Sequence, residues 1–598
     1  MEGVRLGDCI GIREDVINKV CSIAIKAHKA SGKQLYLSEK IRSSSQVVFS
    51  FPGSWSVTDW YSNTPFGEVK VDNQLFPSLK YIGLDETASV NEAFQHRFKQ
   101  LWLNQHFRKE VGAAAADKKQ VIFTGHCLGA PVAILAAIWF LEEYIRPDPN
   151  KTVAPLCLTF GSPFVGDHII SHSLRRENWS DCFINFVMGH DIVPRISLTP
   201  LSAIQHQLQQ ILSLFSPKPP REPLGEALIH FFITVLRNVS SVASHAACKI
   251  MGSTNLLLET VSNFIELSPY RPLGTFVFCT GNGKLVVVKN SDAILQLLFY
   301  TSQLNSEAEL TAVAQSSITS HLNYQSELLE SLEMQCVTFL DDHHLEALPL
   351  ASDVDAEGNT ALNELGLSAR ARLCLRAAGD LEKQKRNNQT AINLKLAEIE
   401  NELRKLQGYQ KKCQHKVGYY DAFKISEDRE DFDANVTRLK LAGIWDEIIE
   451  MLKRYQLPDG YEGQKAWIDI GTRYRRVVEP LDIANYYRHL KNEDTGPYMD
   501  KGRPKRYKCT QRWLEHAERM TDPALESCFW AEVEELCVKS GGFGVREHAC
   551  RLKSKAEEWI RNGWLDQDVF SKGSTFDKLL KEHFLTLEQP VAYQGMWK

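Results

Sequence analysis

The chain has 598 residues, of which 43% are hydrophobic and 24% are charged, as in ordinary globular proteins. A chain of this length is too long to fold around a single hydrophobic core, so two or more domains are expected. The net charge of −5 argues against a protein that binds nucleic acid or membrane surfaces along its whole length. No apolar run approaches the roughly 20 residues that span a bilayer. The 14 cysteines are scattered, which predicts free thiols in a reducing compartment.

The first half of the chain alternates helical stretches with short apolar strands. Residues 14–45 and 86–110 have the apolar spacing of helices. Short apolar runs predict strands at residues 46–51, 66–71, 156–160 and 183–187. Strands that alternate with helices indicate a mostly parallel sheet, whose catalytic groups gather at the carboxyl ends of the strands.

A strand, a sharp turn and a helix follow one another around Gly125-His126-Cys127-Leu128-Gly129. This is the G-x-nucleophile-x-G frame of the α/β-hydrolase elbow, where the flanking glycines relieve a strained turn. Most such elbows have serine in the middle, and here it is Cys127. The N–H of Leu128 is one predicted oxyanion donor, and Ser54, where the strand at 46–51 breaks, marks the second. A plain strand-to-loop turn explains Ser54 equally well.

Two further residues complete the order of an α/β-hydrolase triad. Asp191 follows the strand at 183–187, and His321 is predicted in a loop between helices. The order nucleophile, acid, histidine is that of this fold. An aspartate that caps a turn and a surface histidine are the plain alternatives, so the order relative to Cys127 carries the interpretation.

A narrow apolar ridge is predicted on a helix within residues 252–272. Its members are Leu257, Val261, Phe264 and Ile265. Ordinary core packing is the plain interpretation, and a surface for a partner is the other.

The second half of the chain has no strand signals. An acidic, turn-rich stretch at 340–360 precedes a domain boundary placed after residue 365, and residues 377–409 are strongly helical. Apolar residues there have the 4-3-4-3 spacing of a short coiled-coil seam: Ile392, Leu396, Ile399, Leu403 and Leu406. Further helices at 432–455, 467–490, 511–519 and 529–537 predict an all-α bundle.

Basic and aromatic residues are interleaved between positions 473 and 507. Arginine and lysine suit phosphate, and tyrosine stacks on bases. Acidic residues in the same stretch disfavour a long nucleic-acid track and favour a confined anion pocket. A face of salt-bridged helices is the plain alternative, and residues 501–506 could instead serve as a nuclear-import signal.

Several of these motifs together resemble a known family. The elbow, Phe160-Gly161-Ser162-Pro163, Asp191-Ile192-Val193-Pro194-Arg195 and His321-x-x-Tyr324 resemble class 3 lipases. Residues 266–272, 479–485 and 487–498 resemble the plant enhanced disease susceptibility family of lipase-like immune regulators. The resemblance implies a lipase-like α/β-hydrolase domain at residues 1–365 and an α-helical bundle domain at 366–598.

The resemblance also implies a function. In this family the ridge of Leu257, Val261, Phe264 and Ile265 would enter a groove of a lipase-like paralogue of the phytoalexin-deficient or senescence-associated carboxylesterase type. The paired helical domains would receive a ribosylated nucleotide messenger made by TIR-domain enzymes and recruit helper immune receptors of the NLR class. The cavity-lining positions implied by motif match are His489, Lys491, Arg506, Arg438 and Phe432.

Two functions are therefore open. The first is a heterodimeric immune regulator of the cytoplasm and nucleus, with a catalytically silent hydrolase domain, no cofactor, no metal and no direct contact with nucleic acid. The second is an acyl hydrolase that uses Cys127, His321 and Asp191. A thiolate is a good nucleophile, but a site arranged for serine places the histidine and acid for a smaller atom, and small misplacements cost on the order of 100-fold in rate.

Overall fold

The structure is a computed structural model that describes residues 5–30, 34–41, 45–62, 65–217, 225–251, 266–303, 309–350, 362–414, 417–539 and 543–584. The chain divides into two compact units. The first comprises Met1–Tyr81 and Glu86–Gln384, and the second comprises Ile82–Asp85 and Lys385–Lys598. The division falls within the helix Ala369–Leu394, and the domain boundary placed after residue 365 stays a prediction.

The first unit is built on a sheet that has eight strands in the described part of the chain. The strands of the unit are β1 (Leu37–Lys40), β2 (Gln46–Phe51), β3 (Glu68–Lys70), β4 (Lys80–Tyr81), β5 (Glu86–Thr87), β6 (Ser89–Asn91), β7 (Gln120–His126), β8 (Leu156–Phe160), β9 (Phe183–Met188), β10 (Thr275–Cys279), β11 (Lys284–Val288) and β12 (Cys336–Leu340). The order in the large sheet is β1-β2-β7-β8-β9-β10-β11-β12.

The centre of the large sheet is parallel, as predicted. Strands β2, β7, β8, β9 and β10 run parallel to one another. At the two ends of this group, β1 pairs antiparallel with β2, and β11 pairs antiparallel with β10. Two of the sequence predictions are wrong in detail. The predicted strand at 66–71 is the short β3, which pairs with β6 outside the large sheet. The predicted helix at 14–45 ends at Lys29, and β1 follows.

Helices cover both faces of the sheet. In the first unit they are α1 (Leu6–Ile10), α2 (Glu14–Lys29), α3 (Glu92–Leu103), α4 (Gln105–Ala116), α5 (Gly129–Phe140), α6 (His168–Arg176), α7 (Val193–Ile196), α8 (Leu201–Leu214), α9 (Gly225–Ile250), α10 (Ser291–Tyr300), α11 (Leu310–Leu322), α12 (Tyr324–Met334) and α13 (Asp342–Glu346). The predicted helix at 86–110 is interrupted, because β5 and β6 precede α3 and Asn104 caps α4. Every residue of α5 is buried, since this helix lies directly behind the central strands.

Helix α9 is an exception to the expectation that the chain contains no apolar run of membrane-spanning length. By length and composition, it is the one helix in the described ranges that could cross a bilayer. Of its most apolar 18-residue segment, 39% is buried. Its apolar face packs against α8 and α10, and Gln296 Nε2 of α10 donates to the carbonyl of Ala243 at 2.9 Å. A single such helix is weak evidence for a membrane span, because core helices have the same composition.

The second unit is helical, as predicted. Its helices are α14 (Ala369–Leu394, which begins in the first unit), α15 (Leu396–Cys413), α16 (Tyr419–Ile425), α17 (Arg429–Lys453), α18 (Lys465–Arg488), α19 (Lys491–Asp494), α20 (Lys505–Ala517), α21 (Phe529–Val538), α22 (Phe543–Arg561) and α23 (Thr575–Phe584). The predicted coiled-coil seam is divided between α14 and α15, because the helix breaks at Lys395. Its residues still face the core: Ile392, Ile399, Leu403 and Leu406 are buried.

Candidate functional site

The elbow has the geometry that its sequence predicts. Cys127 lies between β7 and α5 with φ of +54°, a left-handed conformation that side chains rarely adopt. A Cβ on Gly125 would come within 2.2 Å of the Gly129 backbone, and a Cβ on Gly129 would come within 2.1 Å of the Phe51 carbonyl oxygen. Both positions therefore require glycine, and the turn presents Cys127 at the N-terminus of a buried helix.

Asp191 and His321 are brought together beside the elbow. His321 Nδ1 lies 2.9 Å from Asp191 Oδ2 and 3.0 Å from Oδ1. Asp191 follows β9, as expected, whereas His321 lies in the last turn of α11 rather than in a loop, so that part of the prediction is wrong. Burial lowers the pKa of His321, but the charges of Asp191 and Cys127 outweigh it and raise that pKa to about 10.

The carboxylate of Asp191 is held by several donors. Tyr324 Oη donates to Asp191 Oδ2 at 2.6 Å, and the Val193 N–H donates to Oδ1 at 2.8 Å. The buried guanidinium of Arg195 donates to the carbonyl oxygens of Asp191, Gly189 (2.7 Å) and Leu298 (2.9 Å), which fixes the turn that carries Asp191. The motifs around Asp191 and His321 in the sequence thus belong to one hydrogen-bonded unit.

Aromatic rings enclose His321 on two sides. The His126 ring stacks on it with 4.4 Å between centroids, and the Phe215 ring lies edge-on at 4.7 Å. His126 Nε2 also lies 2.8 Å from the carbonyl oxygen of His321. Next to His126, His28 Nε2 lies 3.0 Å from the Phe215 carbonyl oxygen. Cys127 and His321 are both 0% exposed.

These enclosing residues were not predicted from the sequence, for different reasons. His126 lies inside the elbow motif and could have been noticed there. His28 and Phe215 lie in helical stretches far from the elbow in sequence, and no motif marks them. Burial lowers the pKa of His28 to about 4 and keeps it neutral, and burial holds the pKa of His126 well below its usual value.

The two predicted oxyanion segments are linked by one arginine. Arg97 donates to the carbonyl oxygen of Leu128 at 3.1 Å and to that of Pro52 at 2.9 Å. The hydroxyl of Ser54 donates to Asp59. Ser54 and Arg97 also line a cavity of about 360 Å³. The oxyanion roles of Ser54 and Leu128 stay predictions.

The predicted heterodimer ridge lies outside the described residues. Leu257, Val261, Phe264 and Ile265 fall in the range 252–265. Their role as an interface stays a prediction.

The two predicted ligand-binding arginines meet in the second unit. Arg438 of α17 and Arg506 of α20 both donate to the carboxylate of Asp482 on α18, Arg506 Nη2 at 2.6 Å from Oδ2. Tyr507 Oη donates to the same oxygen at 2.7 Å. Arg506 Nη1 binds a second carboxylate, that of Asp446, at 3.0 and 3.1 Å. The structure therefore places two guanidinium groups around one buried carboxylate.

The other three predicted ligand-binding residues are exposed. Phe432 lies on α17 and is 66% exposed. His489 caps the C-terminus of α18, and Lys491 begins α19. Their roles stay predictions.

Much of the basic stretch is paired with carboxylates, as the plain interpretation of a salt-bridged helix face expected. Arg503 binds the fully buried Glu479, with Nε 2.7 Å from Oε1. Arg475 and Arg476 both bind Glu526, and Arg473 binds Glu400. In the described ranges no group of three or more histidine, cysteine or acidic side chains has the geometry of a metal site.

Comparison with known proteins defines the family. Residues 48–200 match the class 3 lipase family, and residues 404–594 match the EP domain of the enhanced disease susceptibility 1 protein. Protein EDS1B of Arabidopsis thaliana is 42% identical, with 95% of this chain and 94% of the relative covered.

More distant relatives are lipase-like proteins of the same plant. Lipase-like PAD4 is 25% identical over 77% of this chain and 71% of its own, and Senescence-associated carboxylesterase 101 is 24% identical over 80% and 72%. A solved Rhizomucor miehei lipase propeptide complex is 18% identical, covers 31% of this chain and 64% of its own, and has a TM-score of 0.22. The first unit has the class 3 lipase type of α/β-hydrolase fold. The chain belongs to the enhanced disease susceptibility 1 family of plant immune regulators, which is related to lipase-like proteins.

Proposed function

We propose that this chain is a signalling protein in which a catalytically silent lipase-like domain serves as a docking scaffold and the helical domain receives a small phosphorylated messenger. It works as a heterodimer with a lipase-like paralogue. The observation that carries the proposal is the state of the two sites. The triad is sealed around a cysteine, whereas the helical domain holds two arginines at a site that is partly open at Asp446.

Three features support a silent hydrolase domain. Cys127 and His321 are fully buried, so no ester reaches them in this conformation. The rings of His126 and Phe215 also pack against His321 on two sides and keep a substrate away from the imidazole. Cys127 also replaces the serine for which the elbow geometry is arranged. The intact Asp191 pair and glycine-flanked turn then act as structural elements of the domain.

Support for the heterodimer comes from the sequence and the relatives. The apolar ridge of Leu257, Val261, Phe264 and Ile265 has the spacing of a helix that enters a groove. Lipase-like PAD4 and Senescence-associated carboxylesterase 101 resemble this chain over most of its length, so their lipase-like domains are candidates to supply the groove.

Support for the messenger comes from Arg438 and Arg506. Guanidinium groups form paired hydrogen bonds with phosphate, and two of them on one buried carboxylate are held at fixed positions. The imidazole of His489, the ammonium group of Lys491 and the aromatic face of Phe432 would complete the site. The ligand is a ribosylated nucleotide made by TIR-domain enzymes, and its binding recruits a helper NLR receptor in the cytoplasm and the nucleus.

Co-expression tests the pairing and the messenger site separately. The wild-type chain should co-purify with a lipase-like paralogue, and Val261→Asp with Phe264→Asp should abolish this. Arg506→Ala should leave pairing intact and abolish immune output in plant cells. Lys465→Ala, which removes an exposed cation of α18 that pairs with Asp469, should change neither. A complex that survives the two aspartates refutes the interface. Full output from Arg506→Ala refutes the messenger site.

An acyl hydrolase is the second candidate, because Asp191 and His321 keep the distance and tautomer-fixing contact of a working triad. Incubation of the pure chain with a chromogenic short-chain ester, beside Cys127→Ala, decides between them. Turnover that depends on Cys127 would favour the hydrolase.

A further inference from the structure

Arg506 lies between two carboxylates that differ in environment. Asp482 is buried, with a side chain 6% exposed, and binds Arg506 Nη2. Asp446 is 56% exposed and binds Nη1 from the solvent side. Arg506 Nε has no hydrogen-bond partner in the described part of the chain. The guanidinium of Arg506 thus binds a buried carboxylate and an exposed carboxylate, and its Nε donor is unpaired in the described residues.

The charges of this cluster balance. Arg438 and Arg506 contribute two positive charges, and Asp482 and Asp446 contribute two negative ones. A phosphoryl group that arrived with both carboxylates in place would meet no net positive charge. Both terminal nitrogens of Arg506 are engaged, so a carboxylate must leave before a phosphate oxygen can bind Nη1 or Nη2.

The two carboxylates differ in how readily they can leave. When the outer pair separates, water solvates the Asp446 carboxylate, which is 56% exposed, while Arg506, which is 11% exposed, keeps Asp482 as its counter-charge, so the loss is small. A buried pair is costly to break, because it leaves an uncompensated charge. Asp482 also accepts from Arg438 and Tyr507, so its departure would free three donors at once.

We infer that Asp446 is a competitive gate on a phosphate subsite formed by Arg438 and Arg506, and that Asp482 is the positioning residue of that subsite. This inference rests on the proposed messenger-binding function and adds how the site is regulated. The phosphoryl group of a nucleotide replaces the Asp446 carboxylate on Arg506 Nη1. Asp482 stays in place and holds both guanidinium groups.

Calorimetric titration of the full chain in its complex with a lipase-like paralogue tests this, with ADP-ribose and inorganic pyrophosphate as probes. Asp446→Asn removes the competing charge and should tighten binding about 3-fold, the size expected for an ion pair whose carboxylate is solvated. Glu447→Gln is the matched control, because it makes the same charge change at the next residue, where Glu447 pairs with Lys395 instead. It should bind as the wild type does.

Substitution of Asp482 should have the opposite effect on affinity. Asp482→Asn should weaken binding at least 10-fold, and Asp482→Glu, which restores the charge, should recover part of it. A purely structural carboxylate would change thermal stability without this rescue of affinity. Asp446→Asn alters an exposed side chain only, so it decides the test even where Asp482→Asn does not fold.

The outcomes separate the two proposals. A wild-type complex that binds a probe, with affinity that Asp446→Asn leaves unchanged or weakens, overturns the gate and leaves the messenger site standing. Absence of binding to both probes in the wild type and in Asp446→Asn overturns the messenger site, and the gate with it.

Discussion

The ring of Phe215 lies edge-on against the imidazole of His321, with 4.7 Å between the ring centroids. Phe215 follows the last turn of α8 and is 1% exposed, and its carbonyl oxygen lies 3.0 Å from His28 Nε2. One aromatic residue therefore covers the histidine of a triad whose nucleophile position, Cys127, is also sealed. This relationship predicts how the thiol responds to reagents.

Phe215→Ala should expose Cys127 to alkylation. In the wild type the thiol should react slowly with iodoacetamide, because Cys127 is buried and reaction needs local opening of the domain. Removal of the ring leaves a cavity beside His321, and labelling of Cys127 should become about tenfold faster. Peptide mass spectrometry after timed labelling measures this rate. Phe278→Ala, a buried change within β10, is the control for general loss of stability. Equal rates in the two variants would show that Phe215 is not the cover.

Gly161→Ala should destabilise the first unit. Gly161 has φ of +56°, and an added Cβ would lie 2.6 Å from Asp191 Oδ2 and 2.7 Å from His321 Nδ1. Backbone strain and crowding together should cost about 2 to 4 kcal/mol in the free energy of unfolding. Urea unfolding followed by circular dichroism measures it.

The control for this glycine is Gly443→Ala on α17. Gly443 is exposed in a helix, with no atom within 4 Å of a built Cβ, so alanine there should stabilise by about 0.5 to 1 kcal/mol. Opposite signs for the two changes are expected. A neutral Gly161→Ala would mean that the Asp191–His321 pair is not packed against this backbone.

His28 should make the first unit less stable in acid. Burial lowers its pKa from 6.5 to about 4, so between these values the unfolded chain binds a proton that the folded chain does not. Stability contributed by neutral His28 is therefore complete above pH 6.5 and falls as the pH drops towards 4. The loss from this group between pH 7 and pH 5 should be about 1 to 2 kcal/mol.

His28→Gln, which keeps an N–H donor for the Phe215 carbonyl oxygen, should reduce this pH dependence. Urea unfolding at pH 7 and pH 5 measures the difference for both proteins. An identical decline in the variant would show that His28 does not cause it.

Glu479→Gln should strongly destabilise the second unit. The carboxylate is 0% exposed and accepts from Arg503 Nε at 2.7 Å and from the Ser527 hydroxyl at 2.6 Å. Removal of its charge leaves Arg503 buried without a counter-charge, which should cost about 3 to 5 kcal/mol. Thermal unfolding followed by circular dichroism measures it. Asp469→Asn breaks an exposed pair with Lys465 and should change the midpoint little. Similar effects of the two changes would contradict the buried network.

The sequence predicted the centre of the first unit well, because the elbow encodes its own geometry. Glycines at 125 and 129 are required by backbone contacts within a few residues, and the order of Cys127, Asp191 and His321 follows from the strand order of the fold. The Asp191–His321 contact was therefore predictable. The edge of the sheet was not, since β1 forms by pairing with β2, and no periodicity within residues 14–45 encodes that partner.

In the helical second unit, sequence-based prediction is limited in a different way. Its class was predictable from apolar spacing and the absence of strand signals. The pairing of Arg438, Arg506 and Asp482 was not, because these side chains come from three helices whose relative rotation is set by packing. From composition alone, an anion site and a salt-bridged face look alike. The structure shows the ion pairs, and the anion site stays a proposal.

Immune output in plants that lack the endogenous protein tests the central claim most directly. Cys127→Ala and Arg506→Ala chains should be expressed at equal levels and compared with the wild type. A silent hydrolase domain joined to a messenger-binding helical domain predicts full output from Cys127→Ala and none from Arg506→Ala. Loss of output with Cys127→Ala and full output with Arg506→Ala would contradict it.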